Sequence, residues 1–328
     1  MSQFDLLQPQ RQALQEQHSL LSQKLLELRR NAAFSADTAV QFQLKQQTEQ
    51  VETELADIAR RMDDLDRVSE DGRLYQALLK LGYRKQVNMF RKFVQNYPVA
   101  SFLIYGKFEY GQRWLLNRLV VQHTRDSIAG KVIKINLSRV SRRSDVVALW
   151  RELGKRVGLG AQSLPSTIVE RVYQMWRTQN VLLLFYEVDF LPEEFLRELL
   201  QAFWSPLATQ ARQGEQPESA HKLLMFLVDY EGCVGDWSIP FAETLEAKWH
   251  PRTPVKLPVI HQFTESELAN WLEFSADDLP VHLIDEPEEM AQGIFEDSDR
   301  GIPETTLEEI CRRSGLDWYE NEEKWMKL

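Results

Sequence analysis

Apolar residues recur along the first sixty-odd positions at steps of three and four. Leu14, Leu21, Leu25 and Leu28 keep a seven-residue rhythm, with His18 in one slot. Leu44, Val51, Leu55, Ile58, Met62 and Leu65 repeat it, with Thr48 in one slot. This is an a/d seam, and it predicts two helices paired as an antiparallel coiled-coil hairpin over residues 1–68. The break falls in the stretch Asn31–Asp37, where Ser35 or Asp37 can cap the second helix through a side-chain oxygen. Each helix of about 20–30 residues is roughly 30–45 Å long at 1.5 Å per residue. A lone pair buries little apolar area. It is expected to associate with the rest of the chain, a second copy or a partner protein; a plain spacer is the alternative.

After a short polar linker, Val68–Arg73, the pattern changes. Helices are predicted around Leu74–Leu81 and Arg84–Gln95. Compact apolar runs then alternate with amphipathic stretches. Strands are predicted at Phe102–Tyr105, Lys131–Leu137, Val181–Phe185 and Leu223–Val228, with a short one near Leu257–Ile260. Helices are predicted at about Ser144–Val157 and Pro165–Thr178, with another opening at Pro192 and Glu193. Gln210–His221 reads as a surface loop. Apolar strands alternating with helices define an α/β fold with a parallel sheet covered on both faces. The expected organisation is the hairpin at 1–68, this core at 74–272, an acidic connector at 273–300 and a helical subdomain at 301–328.

Charge narrows the functions. The chain has 328 residues, 43% hydrophobic and 27% charged, with a formal net charge of -10. General nucleic-acid binding needs a basic face, which this balance disfavours. Local basic patches remain at Arg84, Lys85, Arg91 and Lys92, and at Arg139–Arg143. Glu273–Asp299 holds ten Asp or Glu and no Lys or Arg. It reads as a solvated connector, or as a lure for a basic partner; it lacks the calcium-loop pattern. Two cysteines, Cys233 and Cys311, supply neither a metal set nor a disulfide framework. With no secretory start and no run long enough to span a bilayer, a cytoplasmic location is expected.

The candidate chemistry lies in Ser101–Val120, SFLIYGKFEYGQRWLLNRLV. A strand, then Gly106 and Gly111 in a G-x-x-x-x-G spacing, then a helix make the frame of a phosphate-binding P-loop. A working loop continues with Lys, whose ammonium meets the terminal phosphates, and with Ser or Thr, whose hydroxyl ligates magnesium. Here those positions hold Gln112, which is neutral, and Arg113, which has no lone pair for a metal. Lys107 lies inside the loop. The frame could still hold an anion through backbone N–H groups, or the glycines could serve only a tight turn. The strand at Val181 ends Phe185-Tyr186-Glu187-Val188-Asp189. When the usual acidic ending is laid on it, Tyr186 stands where the metal-binding acid belongs, Glu187 takes the second acid, and Asp189 keeps the last. The site has therefore lost two independent parts. No catalytic residue, metal or bound cofactor is expected. Cys233 has no neighbouring His, which argues against a nucleophile.

These residues resemble the inactive STAND domains of bacterial, often cyanobacterial, conflict proteins. The resemblance is carried by GQRWLLNRLV at Gly111–Val120, NVLLLFYEVDFLPEEFLRELLQAFW at Asn180–Trp204 and GIPETTLEEICRRSGLDWYENEEKW at Gly301–Trp325, and spans residues 74–328. It implies a P-loop NTPase-like fold with decayed motifs and a non-hydrolytic adaptor that works by protein contacts beside an effector. Gly301-Ile302-Pro303 resembles the G-x-P turn of active relatives. The competing expectations are a switch that binds nucleotide without hydrolysing it, and a DNA-associated regulator.

Overall fold

A computed structural model describes residues 3–34, 38–68, 70–124, 127–128, 130–141, 146–160, 162–214, 221–246, 249–326 and 328. The chain divides into two compact units, Met1–Lys80 with Ser275–Val281, and Leu81–Phe274 with His282–Leu328. In chain order the helices are α1 (Gln3–Phe34), α2 (Thr38–Val68), α3 (Glu70–Leu78), α4 (Arg84–Asn96), α5 (Gln112–His123), α6 (Ser138–Ser141), α7 (Val146–Arg156), α8 (Pro165–Thr178), α9 (Glu193–Leu199), α10 (Ser205–Gln213), α11 (Glu265–Phe274), α12 (Val281–Ile284), α13 (Pro287–Asp297), α14 (Pro303–Arg313) and α15 (Trp318–Trp325). The strands are β1 (Val99–Tyr105), β2 (Lys131–Asn136), β3 (Val181–Tyr186), β4 (Leu223–Asp229) and β5 (Val255–Lys256).

In the first unit α1 and α2 pack as a hairpin. Arg29 Nη2 meets Glu52 Oε1 at 2.8 Å, and Gln17 and Leu21 line one groove with Ile58 and Arg61. Rising positions on one helix meet falling positions on the other, so the pair is antiparallel. Leu14, Leu28, Val51 and Ile58 are buried, and His18, Leu21, Leu25, Leu44, Thr48, Leu55, Met62 and Leu65 are half-buried. The inward face is thus the apolar seam. The capping candidates Ser35 and Asp37 lie outside the described residues. The linker expected at Val68–Arg73 is instead helical from Glu70. That stretch is polar, but Leu74 and Leu78, both buried, put it on an amphipathic helix. Lys80 Nζ and Asp278 Oδ2, 2.6 Å apart, join the two segments of this unit.

The second unit is built on five parallel strands in the order β2-β3-β4-β1-β5. Alternation along each strand supplies both cores. Leu103, Leu183, Phe185, Met225 and Leu227 face one side, in a cluster with Leu153, Val172, Trp176 and Phe203 of the chain between β2 and β4. On the other face Phe102 and Phe226 stack at 5.6 Å, and Phe90 of α4 sits 4.8 Å from Phe102. The short strand lies at Val255–Lys256, not at Leu257–Ile260. Leu257 and Ile260 still donate to Leu103 O and Tyr105 O, but Pro258 has no N–H to continue a ladder. The proposed loop at Gln210–His221 begins as the end of α10, and Glu215–Ala220 lie outside the described residues. The stretch 273–300 is not a bare connector: it contains α12 and α13, with Leu283, Ala291 and Ile294 buried. A narrow apolar stripe is enough to fold it, while its acids occupy the opposite side. No described helix is long and apolar enough to cross a membrane.

Candidate functional site

Strand order brings the candidate residues together. β4 lies between β1 and β3, pairing Tyr105 with Asp229 and Tyr186 with Val228. The ends of three neighbouring strands therefore present Gly106, Asp229 and Glu187 along one edge, where open parallel sheets bind ligands.

The loop after β1 turns into α5 through Gly111, which adopts a left-handed conformation (φ 69°) that favours glycine. Gln112, the next residue, is 1% exposed. Its side chain folds back into the loop, and Nε2 donates to Gly106 O at 2.9 Å and Lys107 O at 2.8 Å. The amide thus occupies the inside of the turn and ties it shut. Its Oε1 is buried without a hydrogen-bond partner among the described residues. From the other side the loop after β4 closes in. A Cβ on Gly232 would stand 3.1 Å from Gly106 C and O and 3.5 Å from Lys107 N, so only glycine fits this approach comfortably. Lys107 itself is exposed.

Arg113 reaches α15. Its Nη1 lies 3.3 Å from Glu322 Oε1 on α15. Trp114 packs edge-on against Trp318 at 5.4 Å, and Asn117 Nδ2 donates to Trp325 O at 3.4 Å. Glu304 N donates to Glu109 O at 3.0 Å, and Pro303 Cβ lies 3.6 Å from the Cβ position at Gly111. Helices α14 and α15 are thereby strapped to the loop and to α5, with Gly301-Ile302-Pro303 at the join. Burial raises the Glu304 carboxyl above its usual range, and Glu322 and Glu109 add to the shift.

The acidic strand end is equally occupied. Burial pushes the Tyr186 hydroxyl up to about 12, opposed by the Arg113 guanidinium. Glu187, with φ 59°, accepts from Asn136 Nδ2 at 3.0 Å. Asp189 Oδ1 accepts the Tyr230 N–H at 3.0 Å. Asp229 caps the following turn: Oδ1 accepts from Glu231 N and Gly232 N, and Oδ2 from Val234 N. Burial pushes its carboxyl up to about 6 despite those donors. Glu187 is thus engaged with a side-chain amide, and Asp189 and Asp229 with backbone N–H groups. Among the described residues no group of three His, Cys, Asp or Glu could hold a metal.

Several participants have no place in the P-loop pattern. Tyr83 donates to Tyr110 O at 3.2 Å, and Arg118, buried in α5, donates to Leu81 O at 2.5 Å and Gly82 O at 2.9 Å. Burial lowers the Arg118 guanidinium to about 10. A charged residue in the apolar stretch WLLNRLVV was the available signal, since a buried Arg needs carbonyl partners.

The core is thus a P-loop-type α/β unit whose loop is closed on its own side chain. A family model described as inactive STAND matches residues 78–228, from the end of α3 to the end of β4. The chain is similar in structure to Cdc6p from Pyrobaculum aerophilum, with a TM-score of 0.42, 14% identity, and coverage of 75% of this chain and 64% of that one. No curated protein matches the sequence.

Proposed function

We propose that this chain is a non-enzymatic adaptor whose degenerate STAND-type core transmits signals through protein contacts. The observation that carries this reading is the Gln112 amide, donated to Gly106 O and Lys107 O so that it closes the turn which frames a phosphate in a working P-loop. The metal-binding positions, Arg113 and Tyr186, hold side chains that do not ligate magnesium. The N-terminal hairpin, read as a coiled coil, supplies the docking element for a protein partner. Leu20, Leu26 and Phe42 are each more than 60% exposed there, which favours association over a plain spacer. The resemblance to conflict proteins and the inactive-STAND match support a bacterial defence setting in the cytoplasm.

Isothermal titration tests the core of this reading. ATP, GTP and their magnesium complexes should give no binding heat with the natural chain. Saturable binding at micromolar strength that Gln112→Ala alters would overturn it, making Gly106–Arg113 a live nucleotide switch. A capture experiment with the hairpin surface changed at Leu20 and Phe42 to Ser should lose the partner while leaving the fold intact.

A further inference from the structure

Helix α4 has four cations, Arg84, Lys85, Arg91 and Lys92, and no acid. All four are exposed, while Phe90, Phe93 and Val94 are buried on the opposite side. The elements beneath it, β1 and α5, contain no Asp or Glu, and Lys222 brings a further ammonium to Val94 O. Arg91 bonds Asn88 Oδ1 at 3.3 Å, and none of the four cations is ion-paired among the described residues. Among the described residues this basic face has no ionic partner, in a chain of net charge -10.

Its complement lies in the same chain. Helix α13 and the residues before it expose Asp285, Glu286, Glu288, Glu289 and Glu296, while Ala291 and Ile294 turn inward. Asp297 is taken by Arg313 at 2.7 Å. A side-chain hydrogen bond with Glu289, and then its like charge, raise the Glu286 carboxyl. The spacings correspond. Cations cluster at 84–85 and 91–92, and acids at 288–289 and 296, so both repeat after about seven residues, roughly 10 Å along a helix.

We propose that the basic face of α4 in one copy of this chain docks on the acidic face of α13 in another. The contact is heterologous: in a pair one copy keeps its acidic face unused and the other its basic face, so association continues beyond a pair. Exposed ion pairs are individually weak and screened by salt, so the assembly forms at low ionic strength and dissolves as salt rises. This proposal does not depend on the adaptor reading.

Sedimentation velocity on the full chain tests it, at about 20 mM and about 300 mM salt, where the screening length falls several-fold. The sedimentation coefficient should rise with concentration only at low salt. Arg91→Glu with Lys92→Glu, and separately Glu288→Lys with Glu289→Lys, should each weaken association about tenfold or more. A one-to-one mixture of the two variants retains one native pairing and should associate again. All four positions are exposed, and circular dichroism checks the folds. A natural chain that stays monomeric at low salt, or association that survives both reversals, overturns the proposal. So does a chain that does not self-associate but binds duplex DNA through α4 and loses that binding on the Arg91/Lys92 reversal.

Discussion

The substitution Gln112→Glu isolates the feature on which the closed loop depends. The two side chains have nearly the same shape, so packing is held constant while both N–H donors are removed. At neutral pH a carboxylate oxygen would face Gly106 O and Lys107 O from about the 2.9 and 2.8 Å that the amide nitrogen now occupies. Leaving a buried carbonyl without its donor costs about 1–3 kcal/mol; Gly106 O loses the Gln112 donor, while Lys107 O keeps the Tyr110 N–H at 3.2 Å. Burying the new charge adds to that, giving a loss of about 3–5 kcal/mol, a large share of an ordinary domain's stability. The protonated carboxyl has one O–H to offer, so the folded chain holds the proton above the unfolded pKa of about 4.3. The native state then binds more protons than the unfolded one. Stability is greatest below that value and is lost as pH rises through the folded pKa. Urea unfolding at about pH 4.5 and pH 7, followed by the neighbouring Trp114, reads the effect. The deficit relative to the natural chain should be largest at pH 7 and should shrink at the lower value. Gln112→Ala, which removes the donors without adding a charge, should be destabilised without that pH dependence. A Gln112→Glu midpoint equal to the natural one at pH 7, or a deficit unchanged by pH, would refute the reasoning.

The remaining predictions concern other parts of the same machinery. The Asp229 carboxyl, raised from 3.8 to about 6, favours the fold most below pH 4. About 3 kcal/mol of that preference is lost by pH 6, and Asp229→Asn should flatten this slope in unfolding measured across that window. Trp318 is 3% exposed and packs on Trp114, so Trp318→Ala should cost about 3–5 kcal/mol and open the chain after α14 to limited proteolysis. Val51, 2% exposed in the hairpin, should not tolerate a charge. Val51→Asp should cost about 3 kcal/mol or more and remove helical circular dichroism in proportion to α1 and α2.

The sheet was legible because fully buried parallel strands leave continuous apolar runs. Val181–Phe185 and Leu223–Val228 were each extended by only one residue, at Tyr186 and Asp229, whose polar ends hide the last rung. The hairpin seam was legible from its three- and four-residue steps. The fifth strand was displaced because periodicity does not register the N–H that Pro258 lacks. The acidic stretch was misread because its charge count conceals two inward positions, Ala291 and Ile294, three residues apart. At the site, the fixed P-loop spacing shows in sequence that Gln112 and Arg113 stand where Lys and Ser or Thr are expected. The sequence carries no sign of where those two side chains go. Glu304 and Glu322 reach the loop from some two hundred residues away, and nothing local to either position announces that contact.

The frame and the chemistry of the site come apart for a physical reason. Gly111 and Gly232 answer to backbone geometry, the first through its φ and the second through its approach to Gly106, and both demands persist with no ligand present. Gln112 and Arg113 answer to what the loop encloses, and both have partners within the chain. A ligand shifts a conformational equilibrium only by its difference in affinity for the two states. Where the loop's own carbonyls hold the Gln112 amide and α15 meets Arg113, a nucleotide would first have to displace those contacts, and neither position then offers the lysine ammonium or metal-ligating hydroxyl of a working loop. On the proposed adaptor reading, control of such a core enters through surfaces that remain available, the hairpin and the charged faces of α4 and α13.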